Sequence, residues 1–585
     1  MKLALLTVLA TVGAVTVNPL PQPQSIEWLN ENAIVFNPCA NLQLNIDNEL
    51  VEKNLNRVLN SVLETKYYPQ AIEKPISSYQ PFPTGTVKRG NGAIDSITIT
   101  IENSSIPLQL GADESYNLTI DNNAINIDSV STWGSIQALK TLQQLVVYEK
   151  GQFFIEGSVR IEDHPNYPHR GVMLDSARNF LSVKKIKEQI DIMSLVKLNV
   201  LHWHITDTQL WPLQLESIPG MIEGAYLERE QYSKNDVEDI INYAYERGIR
   251  VIPEIDMPGH SRAGYINVNE DVLACQHSWW SNDDYSLHTA VEPPASQLDI
   301  LNNETYLMVE KIYNEVSGLF QDDVFHVGAD ELQANCYNYS QLFVDWIKAN
   351  LSRTYRDLSQ YWIDHSIPIF RKIPNRRLMM WEDILTTPEA AFTIPQDVIL
   401  QSWSDYLRGS NNIKKLTSKG FDVVVSLNNY LYLDCGYGGF VTNDPRYLDS
   451  PQNDEFNTGN GGSWCNPYKT WQRIYDFDFT TNLTDSEQKH ILGAEAALWS
   501  EQVDNTVLTQ KLWPRLAALA ESVWSGNRDS NGNYRTNWLS QRIFNFREWL
   551  VALGYDALPL VPKYCLQNPH ACDLYLNQTV YNDYT

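Results

Sequence analysis

Residues 323–332 read DVFHVGADEL. Val324, Phe325 and Val327 are β-branched or aromatic, so the run reads as a short buried strand. Gly328 and Ala329 then remove bulk, and two acids follow, Asp330 and Glu331. Side chains on a regular strand alternate between faces. Two adjacent acids therefore serve one site only where the strand ends and the backbone turns, which the small Gly328-Ala329 pair permits. An apolar strand ending in paired carboxylates fits general acid–base work. Two solvated loop acids would give the same dipeptide, so the decision rests on what surrounds this run.

Seven other apolar runs share its texture: GVMLD (171–175), NVLHWHITD (199–207), IRVIPEID (249–256), RLMMWEDI (377–384), DVILQSW (397–403), FDVVVSLNNYLYLD (421–434) and HILGAEAALWSE (490–501). Longer helical patterns separate them, among them 183–197, 234–247, 303–319 and 340–350. Near-continuous apolar strands with helical crossovers predict a parallel sheet buried on both faces. Eight of them predict an α/β chain with a (β/α)8 TIM barrel. Residues 34–160 differ. SITITIE (96–102), YNLTIDNNAINIDS (116–129) and FFIEGSVRIED (153–163) alternate with period two, and Asp121-Asn122-Asn123 is a hairpin turn. Helical patterns near 49–66 and 132–149 complete a smaller α+β domain. The expected organisation is a leader at 1–17, an α+β support domain at 18–163, a catalytic barrel at 164–550 closed by amphipathic helices over 508–550, and a tail at 551–585.

In a barrel of this kind the active site lies at the C-terminal ends of the strands. Those ends carry Asp175 and Arg178, Asp207, Asp256 and His260, Asp330 and Glu331, Trp381 and Glu382, Trp403, Tyr432 and Asp434, and Trp499 and Glu501. Acids, one Arg, one His and several aromatics suit a carbohydrate pocket: rings stack on the sugar, carboxylates bind hydroxyls, and one acid protonates the leaving oxygen. His202 and His204 flank Trp203, but no zinc-type ligand set accompanies them; they suit a barrel interior bonded to acids, and neither metal nor cofactor is expected. Tyr432, directly before Leu433-Asp434, is the site candidate, and Tyr430 is packing. Asp175 and Glu382 fit bonds to Arg178 or a backbone amide as well as they fit the site.

A net charge of −27 argues against nucleic acid and anionic membrane as partners. Residues 1–17, MKLALLTVLATVGAVTV, read as a secretory signal peptide cleaved near Ala14–Val17. Seven N-x-S/T sequons, at Asn103, Asn117, Asn303, Asn338, Asn350, Asn482 and Asn577, agree with a glycosylated product that is secreted or held in the cell-wall or periplasmic space. Seven cysteines allow three disulfides and leave one over; Cys565 and Cys572 are near enough to close a small loop, and Cys39 is the candidate odd thiol.

Taken together, these motifs resemble the β-N-acetylhexosaminidases, family twenty of the glycoside hydrolases. The resemblance rests on HxGxDE at His326, Gly328, Asp330 and Glu331, LDSARNF around Arg178, NVLHWHITD ending at Asp207, EIDMPGH at His260, MMWED at Trp381 and GAEAALWSE at Trp499 and Glu501. Its secretory features and YLDCG run are most similar to secreted fungal members. The resemblance implies exo-acting removal of terminal β-linked GlcNAc or GalNAc, as in chitin degradation, with the acetamido oxygen of the substrate as nucleophile and an oxazolinium intermediate. It implies Glu331 as general acid and then base, Asp330 orienting the acetamido group, and Tyr432 donating to its oxygen. Arg178, Asp434 and Glu501 would hold sugar hydroxyls, Trp381, Trp403 and Trp499 would wall the pocket, and Asp207, His260 and His326 would orient and tune the acid. It further implies pairing of Cys275 with Cys336, Cys435 with Cys465 and Cys565 with Cys572, and leaves a homodimer open as the assembly. Adjacent carboxylates do not easily flank a sugar about 5 Å apart, as an enzymic nucleophile would need, and an internal nucleophile removes that demand. Two alternatives stand beside it: a two-carboxylate retaining glycosidase using Glu331 with Glu501, and a glycan-binding barrel without activity.

Overall fold

A computed structural model describes residues 19–568 apart from 31, 71–87, 122, 150, 282–286, 384–392, 405–410, 442–464 and 466, and describes 571, 572 and 574 near the end. The leader at 1–17 and the sequon at Asn577 lie outside the described residues. The chain forms two compact units, one of residues up to 107, 113–166 and from 524 onward, the other of 108–112 and 167–523.

The first unit is built on eight strands, β1 (Ser25–Trp28), β2 (Asn32–Leu44), β3 (Lys88–Asn103), β4 (Tyr116–Ile120), β5 (Ala124–Ser131), β6 (Val147–Glu149), β7 (Gln152–Ile155) and β8 (Val159–Asp163), in the spatial order β1-β8-β4-β5-β3-β2-β7-β6. The hairpin expected at Asp121 joins β4 to β5, with Ile120 opposite Ile125. Period-two patterning sends Ile97, Ile99 and Ile101, Leu118 and Ile120, and Ile125 and Ile127 into one apolar core. Helices α1 (Glu49–Thr65) and α2 (Thr132–Leu145) pack in this unit. The Ser131 hydroxyl accepts from the Trp133 and Gly134 amides and starts α2. That helix stops four residues short of the expected 149, because Val146 and Val147 turn extended to begin β6.

The helix Thr536–Ala552 belongs to this unit rather than closing the barrel as expected. Its Asn545 carbonyl accepts from the Tyr67 hydroxyl at 2.9 Å. Ahead of it Trp524 enters the sheet core and donates to Asp163 at 2.8 Å. Amphipathic periodicity states that a helix covers something apolar, not which surface it covers.

The second unit is a closed barrel of eight parallel strands: His169–Asp175, Val200–Thr206, Arg250–Ile255, Val324–His326, Arg377–Trp381, Ile399–Ser402, Val423–Val425 and Ile491–Leu498, the last pairing back to the first. All eight expected runs supply a strand. Two are much shorter than the runs suggested. The seventh ends at Val425 and gives way to a helical turn, Asn428–Leu431, consistent with the poor β preference of the Asn428-Asn429 pair. The fourth ends at His326, just before the backbone turns left-handed at Gly328 and Ala329.

Candidate active site

The turn after the fourth strand is left-handed at Gly328 (φ 68°), Ala329 (φ 81°) and Glu331 (φ 50°). A Cβ on Gly328 would lie 1.6 Å from Asp256 Oδ1, so only glycine fits. The Asp256 carboxylate occupies that space and accepts the Ala329 amide at 3.0 Å. Strained backbone held this way aims Asp330 and Glu331 at one site although they are neighbours in sequence.

Glu331 is braced from two sides. On one, His260 Nε2 lies 3.4 Å from Glu331 Oε2 and 3.9 Å from Asp330 Oδ2, while its Nδ1 lies 3.3 Å from Asp207 Oδ2. Burial alone would push the His260 imidazolium down, but Asp207 and Asp330 outweigh it and hold it well above the usual range. On the other side, the Glu331 amide donates to Asp383 at 3.4 Å, and the same carboxylate accepts from the Trp403 indole. The Glu331 side chain stays about a quarter exposed and lines a cavity with Thr208, His260, Thr289, Glu292 and Gln297.

Asp330 is buried, and its carboxyl lies within 4.8 Å of those of Asp256 and of the His260 ring. Burial pushes Asp330 up against the pull of His260; burial and then the Asp330 charge push Asp256 well above its usual range. The two carboxyls titrate as a coupled pair, both raised by burial.

Beside these acids, Trp381, Trp403, Tyr432 and Trp499 form one buried cluster with Met173, Ala497 and the Cys435–Cys465 disulfide. Trp403 stacks on Tyr432 at 6.2 Å and 14°, and Trp499 closes on both Tyr432 and Trp381 at 6.1 and 5.8 Å. Burial and then the charge of Asp330 push the Tyr432 hydroxyl up, so it remains a donor. Tyr430 faces elsewhere, stacked on Phe477 at 4.0 Å.

Arg178 lies over the Trp499 ring at 4.8 Å and pairs with Glu292 (2.8 Å), Asp207 (3.1 Å) and Asp175 (3.4 Å). Asp175 also accepts the Ser500 amide, and Glu382 accepts from Ser402 and Ser404; both are structural partners rather than free site groups. Asp434 accepts the Trp499 amide at 3.4 Å and burial pushes it up to about 6; burial and then Glu292 push Glu501 well above the usual range.

His326 meets the acid turn through the turn's backbone. Its Nδ1 accepts the Gly328 amide and lies 3.1 Å from Glu254, and its ring packs on His202 and Trp381 rather than on Glu331. Four acids of the site went unread in the sequence: Glu254, Glu292, Glu495 and Asp383. Asp383 stood inside the quoted WED run. Glu254 and Glu495 are interior positions of strands, and Glu292 sits in a loop with no motif. His202, Glu254 and His326 have donor atoms close enough to share a cation, as do Asp256, His260 and Asp330. In the first set His326 Nδ1 lies 3.1 Å from Glu254, and in the second His260 Nε2 lies 3.9 Å from Asp330.

All three disulfides implied by the resemblance are present, and Cys39 is free and exposed. The six described sequon asparagines are exposed. Among the described residues no helix is long and apolar enough to cross a membrane.

Residues 167–527 match the description "Glycosyl hydrolase family 20, catalytic domain", and residues 19–145 match "beta-acetyl hexosaminidase like". The chain belongs to glycosyl hydrolase family 20. It is 51% identical to "Beta-hexosaminidase 1" of Coccidioides posadasii, covering 97% of this chain and 96% of that protein. It is 49% identical to "Beta-hexosaminidase" of Emericella nidulans, covering 98% of each. Among solved structures, the family 20 exo β-N-acetylglucosaminidase of Vibrio harveyi in complex with N-acetylglucosamine superposes with a TM-score of 0.69 at 23% identity, over 92% of this chain and 79% of that one. Membership in family 20 makes this chain a glycoside hydrolase.

Proposed function

We propose that this family 20 site removes terminal β-linked N-acetylglucosamine, and N-acetylgalactosamine, from the non-reducing ends of chitooligosaccharides or glycoconjugates with retention. In this reading Glu331 gives its proton to the leaving glycosidic oxygen while the substrate's acetamido oxygen bonds to the anomeric carbon, forming an oxazolinium. Water then adds to that carbon, Glu331 takes the water's proton, and the acetamido group is released intact. Asp330 orients the acetamido N–H and balances the positive charge, and Tyr432 donates to the acetamido oxygen. Trp381, Trp403 and Trp499 enclose its methyl group; Arg178, Asp434 and Glu501 take sugar hydroxyls.

The observation that carries the reading is the position of Asp330. It is buried beside the Trp403–Tyr432 wall and next in sequence to Glu331, which suits gripping a substrate group rather than attacking from the opposite face. A Bombyx mori relative described as a chitooligosaccharidolytic β-N-acetylglucosaminidase, 32% identical over 92% of this chain, supports the oligosaccharide class. The leader, the exposed sequons and the disulfides support secretion, and the resemblance supports a homodimer, which sedimentation of the secreted protein tests. The deciding experiment compares an aryl 2-acetamido-2-deoxy-β-glucoside with the matching aryl β-glucoside. Turnover of the first alone is expected. Turnover of both would transfer the nucleophile's role to an enzyme carboxylate such as Glu501, and turnover of neither would leave a glycan-binding barrel.

A further inference from the structure

Parallel pairing places His204 beside Glu254 and Glu254 beside His326 in one row across three strands. Glu254 is fully buried in that row. Its Oε2 lies 2.7 Å from His204 Nδ1 and 3.0 Å from His202 Nε2. Its Oε1 accepts from the Trp381 indole at 2.8 Å and lies 3.1 Å from His326 Nδ1. From His204 the contacts continue outward: Nε2 to Asp207 at 3.1 Å, Asp207 to His260 at 3.3 Å, and His260 to Glu331 at 3.4 Å. A single carboxylate therefore touches both the wall of the sugar pocket and the line of groups that ends on the proton donor.

We propose that Glu254 is a positioning residue for the proton donor, acting through His204, Asp207 and His260 on Glu331, and that its second oxygen sets the Trp381 indole in the same register. The proposal rests on the reading of Glu331 as the general acid. An ionised Glu254 accepts the Nδ1–H of His204. The other nitrogen of that ring then donates to Asp207, and Asp207 accepts Nδ1–H of His260, which leaves the Nε2–H of His260 for Glu331. Burial works against a charged His204, but Glu254 and Asp207 outweigh it. Two other histidines stand around Glu254, and only His202 is charged. His202 is held up to about 9, with Glu495 on its far side at 2.7 Å, while His326 is pushed down and stays neutral. Asp256 and Asp330 are the nearby acids on the mouth side.

The test is leaving-group dependence, which a purely structural role would not produce. A proton donor matters for a poor leaving group and little for one that departs as a stable anion. Glu254→Gln should lower kcat/KM on the phenyl 2-acetamido-2-deoxy-β-glucoside about 10-fold or more, and on the dinitrophenyl compound by no more than a few-fold. His204→Asn, which keeps a donor to Glu254 but does not reach Asp207, should show the same contrast, and it decides the matter if Glu254→Gln does not fold. Trp381→Phe should lower both substrates alike. Glu331→Gln is the reference. Equal losses on both substrates there would overturn the reading of the acid itself. Leaving-group dependence in Glu331→Gln with equal losses in Glu254→Gln and His204→Asn would overturn the role of Glu254 alone.

Discussion

In the N-terminal sheet, β3 and β5 fill their interior with Ile97, Ile99, Ile101, Ile125 and Ile127. Inside the barrel, strands just as deeply buried present His202, His204, Glu254, His326, Gln401 and Glu495. The first arrangement is the inexpensive one: isoleucine leaves no polar atom to satisfy, and each fully buried side chain contributes about 1.5–3 kcal/mol. The second costs several kcal/mol per ion unless every charge is paired. The barrel meets that cost by pairing: Glu495 with His202, Glu254 with His202 and His204, and Asp207 with His204, His260 and Arg178. The contrast separates an interior selected to hold a shape from one that also has to orient protons.

The contrast can be broken most sharply at the mouth. Glu331→Gln should lower kcat on substrates with poor leaving groups by roughly 10²–10⁴-fold, the usual worth of general acid catalysis, with little change in melting temperature. Near wild-type turnover would remove Glu331 from the mechanism. Asp330→Asn should slow turnover on the order of 10²-fold through loss of charge beside the developing oxazolinium, with a smaller change in KM; an unchanged kcat would refute the assignment. In the dry interior the effects should reverse. Ile127→Ala should cost about 2–5 kcal/mol of stability and leave kcat of the folded protein unaltered. A loss of kcat at full folding would mean that the sheet does more than support.

The smallest effect sharpens the comparison through pH. Burial would raise Glu495, but His202 pulls it down to about 2 from an ordinary 4.5. Its contribution is therefore complete above 4.5 and lost as pH falls toward 2. Burial would lower His202, but Glu495 lifts it to about 9 from 6.5, so its contribution is complete below 6.5 and lost as pH rises through 9. The pair should stabilise the barrel fully between 4.5 and 6.5. Melting curves of Glu495→Gln should lie lower in that window and converge on wild type at the acid end. Curves parallel to wild type across the range would show that the pair does not couple stability to pH.

Much of this was legible in one dimension because period is local. Alternation in SITITIE and in YNLTIDNNAINIDS predicts half-buried strands, and unbroken runs such as NVLHWHITD predict strands covered on both faces. The strand ends name Arg178, Asp207, His260, Asp330, Glu331, Trp381, Trp403, Tyr432 and Trp499, and the structure gathers those side chains at and beside the acid turn. Glu254 and Glu495 were not legible for a related reason. Inside a strand a glutamate reads as a break in the apolar pattern, and its partners lie on other strands 50 to 326 residues away in sequence. The C-terminal helix Thr536–Ala552 was misplaced because its apolar face does not carry an address.

By itself, then, the sequence determined the kinds of element, the count of eight barrel strands, the acid pair and its aromatic company, since each follows from local pattern and residue chemistry. Tertiary structure alone decided three things: the parallel register that sets Glu254 between His204 and His326, the wedge of Asp256 that makes Gly328 obligatory, and the unit to which the helix Thr536–Ala552 belongs. Each depends on which residues distant in sequence become neighbours: parallel pairing of adjacent barrel strands decides the first two, and packing in the first unit decides the third.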